Sequence, residues 1–344
     1  MTSYNLCLLG FGNVNRALVR LLQQRQRELR ERYDIQWRIT GVATRRLGWL
    51  ASSAGFDPQV LSEPGAPRWN VLPHVTPPPG DVRQWLQAAE ADVLFEATSL
   101  NAQTGQPAID HVRAAMESGA HAVTANKGTV VHGYEELRHL AAKSGKRFLF
   151  ESTVMDGAPI FSLFRETLPA IHVRSFHGIL NSTTNFILSL MEEGLSFEES
   201  VKRAQDTGAA ETDPSDDIDG WDASVKVAAL VRVLMELPLA VEAIERQGIR
   251  ALTGEMVRNA RKAGTPYKLV CRAWRSGGGV KATVRPEQVP STDAMAHVSG
   301  TSSIVHFETD VLPGLAIVEN DPGVETTAYG MLADFIRAVS TRGH

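Results

Sequence analysis

The sequence predicts an α/β fold: a doubly wound parallel sheet over residues 1–150, then a second, α+β domain over 151–323, with a closing helix at about 324–340 returning to the first. Three observations carry this expectation. A short apolar strand, Asn5 to Leu9, runs into Gly10-Phe11-Gly12 and then into a helix, the context that a dinucleotide-binding turn needs. Apolar strands and helical stretches then alternate as far as Phe150, as βαβ units do. Near Glu151 that rhythm breaks, and longer helices and hairpin-like strands follow.

Composition bounds the function. At 344 residues the chain is long enough for two cores, and 43% hydrophobic with 22% charged residues is ordinary for a soluble globular protein. A net charge of −4 supplies no basic field for nucleic acid. The start, MTSYNLCLLGFG, has no cationic region before its apolar run, and no apolar stretch reaches membrane-spanning length. Cys7 and Cys271 lie in apolar, strand-like surroundings and read as buried thiols, so a cytoplasmic location is expected.

In the first domain, Gly12 lets the backbone approach a pyrophosphate, whose charge the helix N-terminus opening at Asn13 and Val14 would meet. Asn15 stands where the third glycine of the fingerprint belongs. The turn makes this domain Rossmann-like. Its helix is expected to run to about Arg32, and a second strand, Ile35 to Ala43, ends in Thr44-Arg45-Arg46. Residues 47–80, rich in Pro, Gly and Ser, read as a short helix and an irregular crossover. Asp81 is expected to cap a helix through Trp85 and Leu86. The strand Val93 to Ala97 ends in Thr98 and Ser99, polar residues where ligands sit at a sheet's carboxyl edge. A helix over 106–118 leads to the strand 121–125 and then Asn126-Lys127-Gly128; a helix over 133–144 and a strand over 147–150 close the series.

The second domain is expected to hold helices at 158–168, 185–193, 197–207 and 253–263 and strands at 172–180, 267–275, 280–285, 304–309 and 315–318. At its centre stand six carboxylates, Glu211, Asp213, Asp216, Asp217, Asp219 and Asp222, answered by Lys226. Asp222 and Lys226 are one helical turn apart on one face. Such acid runs often cap helices or face solvent. A calcium loop is a second candidate, but its twelfth position, which needs a bidentate Glu, is Lys226. What remains is an anionic nest with one embedded ammonium, suited to a small substrate carrying its own ammonium group.

GILNSTTNFIL at 178–188 and AETDPSDDIDGWDASVK at 210–226 resemble the signature of homoserine dehydrogenases, which interconvert homoserine and aspartate 4-semialdehyde with a nicotinamide cofactor. FEATSLNAQTGQPAIDHVRAAMESGAHAVTANKG looks like the family's cofactor-side segment, and ESTVMDGAPIF like its loop whose backbone carbonyls hold a monovalent cation, usually sodium. The resemblance implies that Lys226 is the acid/base, that Lys127 lies near the nicotinamide and the substrate oxygen, and that Glu211 and Asp222 hold the substrate's ammonium with Asp217 in support. Thr183 would touch the substrate. Gly178 and Gly323 would join Gly10, Phe11, Gly12, Asn13, Val14, Thr98 and Ser99 at the cofactor. The cation would take the carbonyls of Glu151, Val154, Asp156 and Ala158. A homodimer joined through the second domain is also implied. Longer members carry a C-terminal ACT domain; this chain ends at His344, so a short form with little threonine inhibition is expected.

Three departures bear on substrate and affinity: Ser182 stands where the family has Gly, the segment Glu319 to Thr326 has fewer glycines, and Asn15 replaces a small residue. A related dehydrogenase of another small amino acid, or a silent nucleotide-binding regulator, are the alternatives. For the cofactor, no carboxylate ends the second strand, where NAD-specific domains place one. Arg45 there suits a 2′-phosphate, which predicts NADP over NAD.

Overall fold

The structure is a computed structural model and describes residues 2–63, 69 and 72–340. It divides into two compact units, Met1–Pro159 with Gly323–His344, and Ile160–Pro322.

In chain order the first unit begins with β1 (Thr2–Leu9), α1 (Asn13–Gln24), α2 (Gln26–Tyr33), β2 (Ile35–Thr44), β3 (Gly48–Phe56), α3 (Pro58–Ser62) and α4 (Val82–Ala88). It continues with β4 (Val93–Glu96), α5 (Ala108–Glu117), β5 (His121–Thr124), α6 (Lys127–Ser144) and β6 (Phe148–Leu149). The sheet order is β3-β2-β1-β4-β5-β6. Because β1 lies inside the sheet with both faces covered, Leu6, Cys7 and Leu8 are all buried and the strand reads as an unbroken apolar run. Leu6 and Leu8 join one core with Leu18 and Leu22 of α1, while Cys7 and Leu9 join another with Trp85 and Leu86 of α4. The pairs from β2 to β6 through β1, β4 and β5 are parallel.

Three features differ from the sequence expectation. The stretch expected as crossover holds β3, antiparallel to β2. Its first half is covered on both faces, Leu50 joining one core and Ala51 the other, while Ser53 and Ala54 further along are exposed. Residues 64–68, 70 and 71 of that stretch lie outside the described residues. The long first helix is two helices meeting at Arg25. Finally, α6 begins at Lys127, several residues before the expected start, because the Asn126 side chain caps it by accepting from Gly128 N at 3.0 Å.

The second unit runs β7 (Val173–Ile179), α7 (Ser182–Glu192), α8 (Phe197–Asp206), α9 (Ser215–Ile218), α10 (Trp221–Leu230), β8 (Glu245–Arg246), α11 (Gly254–Lys262), β9 (Tyr267–Ser276), β10 (Gly279–Gln288), β11 (Ser303–Thr309) and β12 (Leu315–Glu319). Its sheet, β12-β11-β7-β9-β10-β8, is antiparallel except for β8 beside β10. Residues 163–167 wind as a π-helical turn within the expected helix. The chain then returns to the first unit as α12 (Val324–Val339), whose Met331, Leu332 and Phe335 enter the core of β1 and α1.

The two compact units part at 159/160, beyond the expected boundary at 151. Residues 151–159 group with the first unit, since Glu151 N donates to Asp334 Oδ2 at 2.7 Å, Ser152 Oγ to Thr327 O at 2.7 Å, and Thr327 Oγ1 to Asp156 Oδ1 at 2.6 Å.

Candidate active site

In the second unit the site begins where β7 stops. Asn181 caps α7, its Oδ1 accepting from Thr184 N and Thr184 Oγ1, each at 2.8 Å. That fixes which way the amide points. Its Nδ2 then faces the acidic segment and donates to Asp217 Oδ1 at 2.6 Å and to Asp222 Oδ2 at 2.9 Å. Gly220, at φ 81, turns the chain between those two carboxylates and opens α10. One turn along α10, Lys226 Nζ stands 3.0 Å from Asp222 Oδ2 and donates to Leu180 O at 2.8 Å. Thr183 is buried beside this group, with its hydroxyl donating to Ala209 O at 2.9 Å.

The electrostatics follow from crowding. Burial, and then the charge of Asp222, raise the proton affinity of Asp217; Asn181, Lys226 and Thr183 oppose that rise. Behind the group, burial pushes the Cys271 thiol up to about 12, so it stays neutral. Two carboxylates and one ammonium thus share one concentrated patch, with Asn181 as its hinge.

The other acids of the run go elsewhere. Asp219 pairs with Arg250, Nε to Oδ1 at 2.5 Å, and Asp213 accepts from Ser215 N at 3.1 Å. Asp216 and Glu211 are exposed, and Glu211 is held through its backbone carbonyl, which accepts from Gln205 Nε2 at 3.4 Å. So the structure brings Asp217, Asp222 and Lys226 together and leaves Glu211 on the loop before α9.

In the first unit, Gly10 has φ 79, and a side chain there would collide with Ala97 O. Gly12 is exposed, with nothing within 4 Å of the place a Cβ would take. With Asn13 and Val14 it leaves the first turn of α1 open to an anion, which fits a dinucleotide's pyrophosphate. Phe11 is buried edge-on to Trp69. Asn15 takes up the turn itself, its Nδ2 donating to Leu9 O and Gly10 O at 3.1 Å. Arg45 is exposed in the β2–β3 turn, and Gly323, also open, caps α12.

A buried carboxylate ties the two strand ends together. Glu96 accepts from Thr98 N at 3.0 Å, from the Thr98 hydroxyl, and from Thr124 Oγ1 at 2.9 Å. Thr124 Oγ1 accepts from Asn126 N, and Asn126 Nδ2 donates to Thr98 O at 3.1 Å and Ser99 O at 3.4 Å. Thr98, Ser99 and Lys127 are therefore set on one braced edge. In the loop from Glu151 to Ala158, Thr153 N and Ala158 N donate to Phe150 O and Met155 O, and Asp156 has φ 44. Among the described residues no cluster of three His, Cys, Asp or Glu side chains could hold a metal. Gly178 is accounted for by the sheet, because a side chain there would collide with Ile304 O.

Sequence reasoning gave no role to Asn181 or Glu96. Asn181 lies inside the quoted motif, and Asn-x-x-Thr before an apolar run is a helix-start signal; Glu96 is a lone acid ending an apolar strand. Those two signals were there to be read.

A sheet of this order with an open glycine turn, carried with a second unit that gathers acids about one lysine, defines a two-domain dehydrogenase of the nicotinamide class. The family models agree. "Homoserine dehydrogenase, NAD binding domain" matches residues 10–151, and "Homoserine dehydrogenase" matches 159–336. The NAD(+)-dependent homoserine dehydrogenase of Pseudomonas canavaninivorans is 34% identical, covering 98% of this chain and 96% of that one. The homoserine dehydrogenase of Methanocaldococcus jannaschii is 31% identical over 96% and 97%. Among solved structures, a putative homoserine dehydrogenase from Archaeoglobus fulgidus superposes with a TM-score of 0.84 at 28% identity, covering 98% and 99% of the two chains. A hyperthermophilic archaeal homoserine dehydrogenase in complex with NADPH gives 0.81 at 25% identity, covering 100% and 99%. The chain belongs to the homoserine dehydrogenase family, NAD(P)-dependent oxidoreductases acting on a CH–OH group.

Proposed function

We propose that this chain interconverts L-homoserine and L-aspartate 4-semialdehyde. The observation that carries the reading is the gathering of Asp217, Asp222 and Lys226 about Asn181. A bound nicotinamide supplies or takes the hydride. Reducing the aldehyde places negative charge on its oxygen, and Lys226 is the group to stabilise that charge and give the proton. In oxidation the same nitrogen takes the proton back. Lys127 is the second ammonium of the reaction. Asp222, supported by Asp217, holds the substrate's α-ammonium with Glu211, and Thr183 touches the substrate.

At the cofactor we assign Gly10, Phe11, Gly12, Asn13 and Val14 to the pyrophosphate turn, and Thr98, Ser99, Lys127, Gly178 and Gly323 to the remaining contacts. Arg45, with no carboxylate ending its strand, favours NADP, although one relative is named as NAD(+)-dependent. A monovalent cation on the carbonyls of Glu151, Val154, Asp156 and Ala158, a homodimer joined through the second unit, and a cytoplasmic setting complete the proposal. Among the described residues no helix is long and apolar enough to cross a membrane.

The test is reduction of NADP and NAD by purified protein with homoserine and several other amino alcohols. Homoserine should be preferred; a clear preference for another amino alcohol would assign the pocket to that substrate, with Ser182 as its cause. Arg45→Ala should raise the KM for NADP several-fold and leave that for NAD unchanged. Equal losses, or a wild-type preference for NAD, would defeat the NADP assignment.

A further inference from the structure

We propose that Asn181 is the positioning residue of this site: through one amide nitrogen it holds Asp217 and Asp222 together, and so sets where Lys226 stands. The inference rests on the proposed role of Asp222 and Lys226, and adds to it the group that organises them.

The geometry is specific. Asn181 is 2% exposed, and every polar position of its side chain is used. Its oxygen accepts from Thr184 N and Thr184 Oγ1, so turning the amide over would set its nitrogen against the Thr184 N–H and its oxygen against two carboxylate oxygens. Its nitrogen lies 2.6 Å from Asp217 Oδ1 and 2.9 Å from Asp222 Oδ2. Two like charges brought this close disfavour double ionisation, and a donor shared between them offsets that. Asp222 Oδ2 is also the oxygen that faces Lys226 Nζ. The residue before Asn181 supplies the second grip, since Leu180 O accepts from the same Nζ at 2.8 Å. Residues 180 and 181, the bend between β7 and α7, therefore hold both the ammonium and its counter-charge.

Among the described residues, the groups set around this cluster come from four elements. Asp222 and Lys226 come from α10, Asp217 from α9, Thr183 from α7, and the neutral Cys271 from β9. Asp219 is turned to Arg250. Burial and Asp222 already raise Asp217, and the Asn181 hydrogen bond works against them. Removing the amide takes away a donor that favours the ionised form, so Asp217 should hold its proton to higher pH. Substrate binding and turnover, which rest on the charge of this cluster, would then fail earlier on acidification.

The cap and the clasp can be separated. Asn181→Ser keeps a good helix cap, but its single short hydroxyl cannot bridge the two carboxylates. The measurement is the pH dependence of kcat/KM for homoserine, with calorimetric homoserine binding where turnover is too slow. The acid limb of Asn181→Ser should move up by about one pH unit, with melting near that of wild type. An acid limb that superimposes on wild type, with any loss equal at all pH, overturns the inference. Should Asn181→Ser not fold, Asn181→Thr, another helix cap that cannot bridge the pair, goes through the same assay and its acid limb should likewise move up. An acid limb that stays in place overturns the inference by that route. Lys226→Ala in the same assay separates the two levels. If it is inactive while the profiles do not move, only the role of Asn181 falls; if it turns over normally, the reading of the site falls with it.

Discussion

Lys226 reaches the reaction already committed to Asp222 Oδ2 and Leu180 O. A lysine so held has little rotamer freedom left to lose when an alkoxide develops beside it, which is the preorganisation that electrostatic catalysis needs. Lys127 is set differently, as the first residue of α6 behind the Asn126 cap. Replacing either with Ala should keep the fold and cost on the order of 10²–10³ in turnover; steady-state rates and circular dichroism of both variants check this. Near-normal rates in both would sink the assigned mechanism. The pairing of Asp222 with Lys226 was legible because it is local, one helical turn on one face. The amide that ties it to Asp217 was not, because Asn181 lies 36 and 41 residues from the carboxylates it bridges, and no periodicity reports such a contact. Nor did the acid run show which members belong together. Asp219 was claimed by Arg250 across a loop, and only the folded chain reveals that.

At the scale of elements, β5 carries a built-in acid sensitivity. His121 begins the strand, and its Nδ1 accepts from Arg147 N at 3.0 Å, which requires a bare, neutral nitrogen. Burial, then the charges of Lys146 and Arg147, push this histidine down to about 4 from 6.5. Between those values the unfolded chain binds the proton and the native one does not. Stability is therefore complete above about pH 6.5 and falls as pH drops toward 4. With a half-buried ring the loss should be on the order of 1–2 kcal/mol. His121→Gln should flatten the pH dependence of urea midpoints across this window; an unchanged slope would assign the acid lability elsewhere. The parallel strands β1, β4 and β5 were legible as apolar runs because both faces are buried. The edge strand β3 was hidden because half of it faces solvent and its Ser and Gly residues read as loop. The early start of α6 was hidden for a similar reason, since a cap made by Asn126 in a polar Asn-Lys-Gly turn resembles a loop until the bond is seen.

For the whole molecule, chain continuity and structural continuity part company. The second unit is one unbroken segment, 160–322, with its own six-stranded sheet, whereas the first is completed by α12 from the far end of the chain. That return was legible as a closing helix, but its weight was not. Met331, Leu332, Phe335 and Val339 are buried in the same core as Leu6, Leu8 and Leu18, and Tyr4 donates to Val339 O. At roughly 1.5–3 kcal/mol for each large apolar side chain, their removal should cost about 6–12 kcal/mol. Total stability of a domain is itself about 5–15 kcal/mol. Glu151 N would also lose Asp334, and Ser152 would lose Thr327 O. A fragment of residues 1–159 should therefore lack a cooperative melting transition, and joining residues 323–340 to it through a short flexible linker should restore one. The fragment 160–322 should melt cooperatively by itself, with the Asn181–Asp217–Asp222–Lys226 group inside it. Calorimetry of the three fragments decides the matter. A cooperative transition in 1–159 alone would mean that α12 decorates a core already complete, and an unstructured 160–322 would mean that the inserted unit borrows its stability from the first.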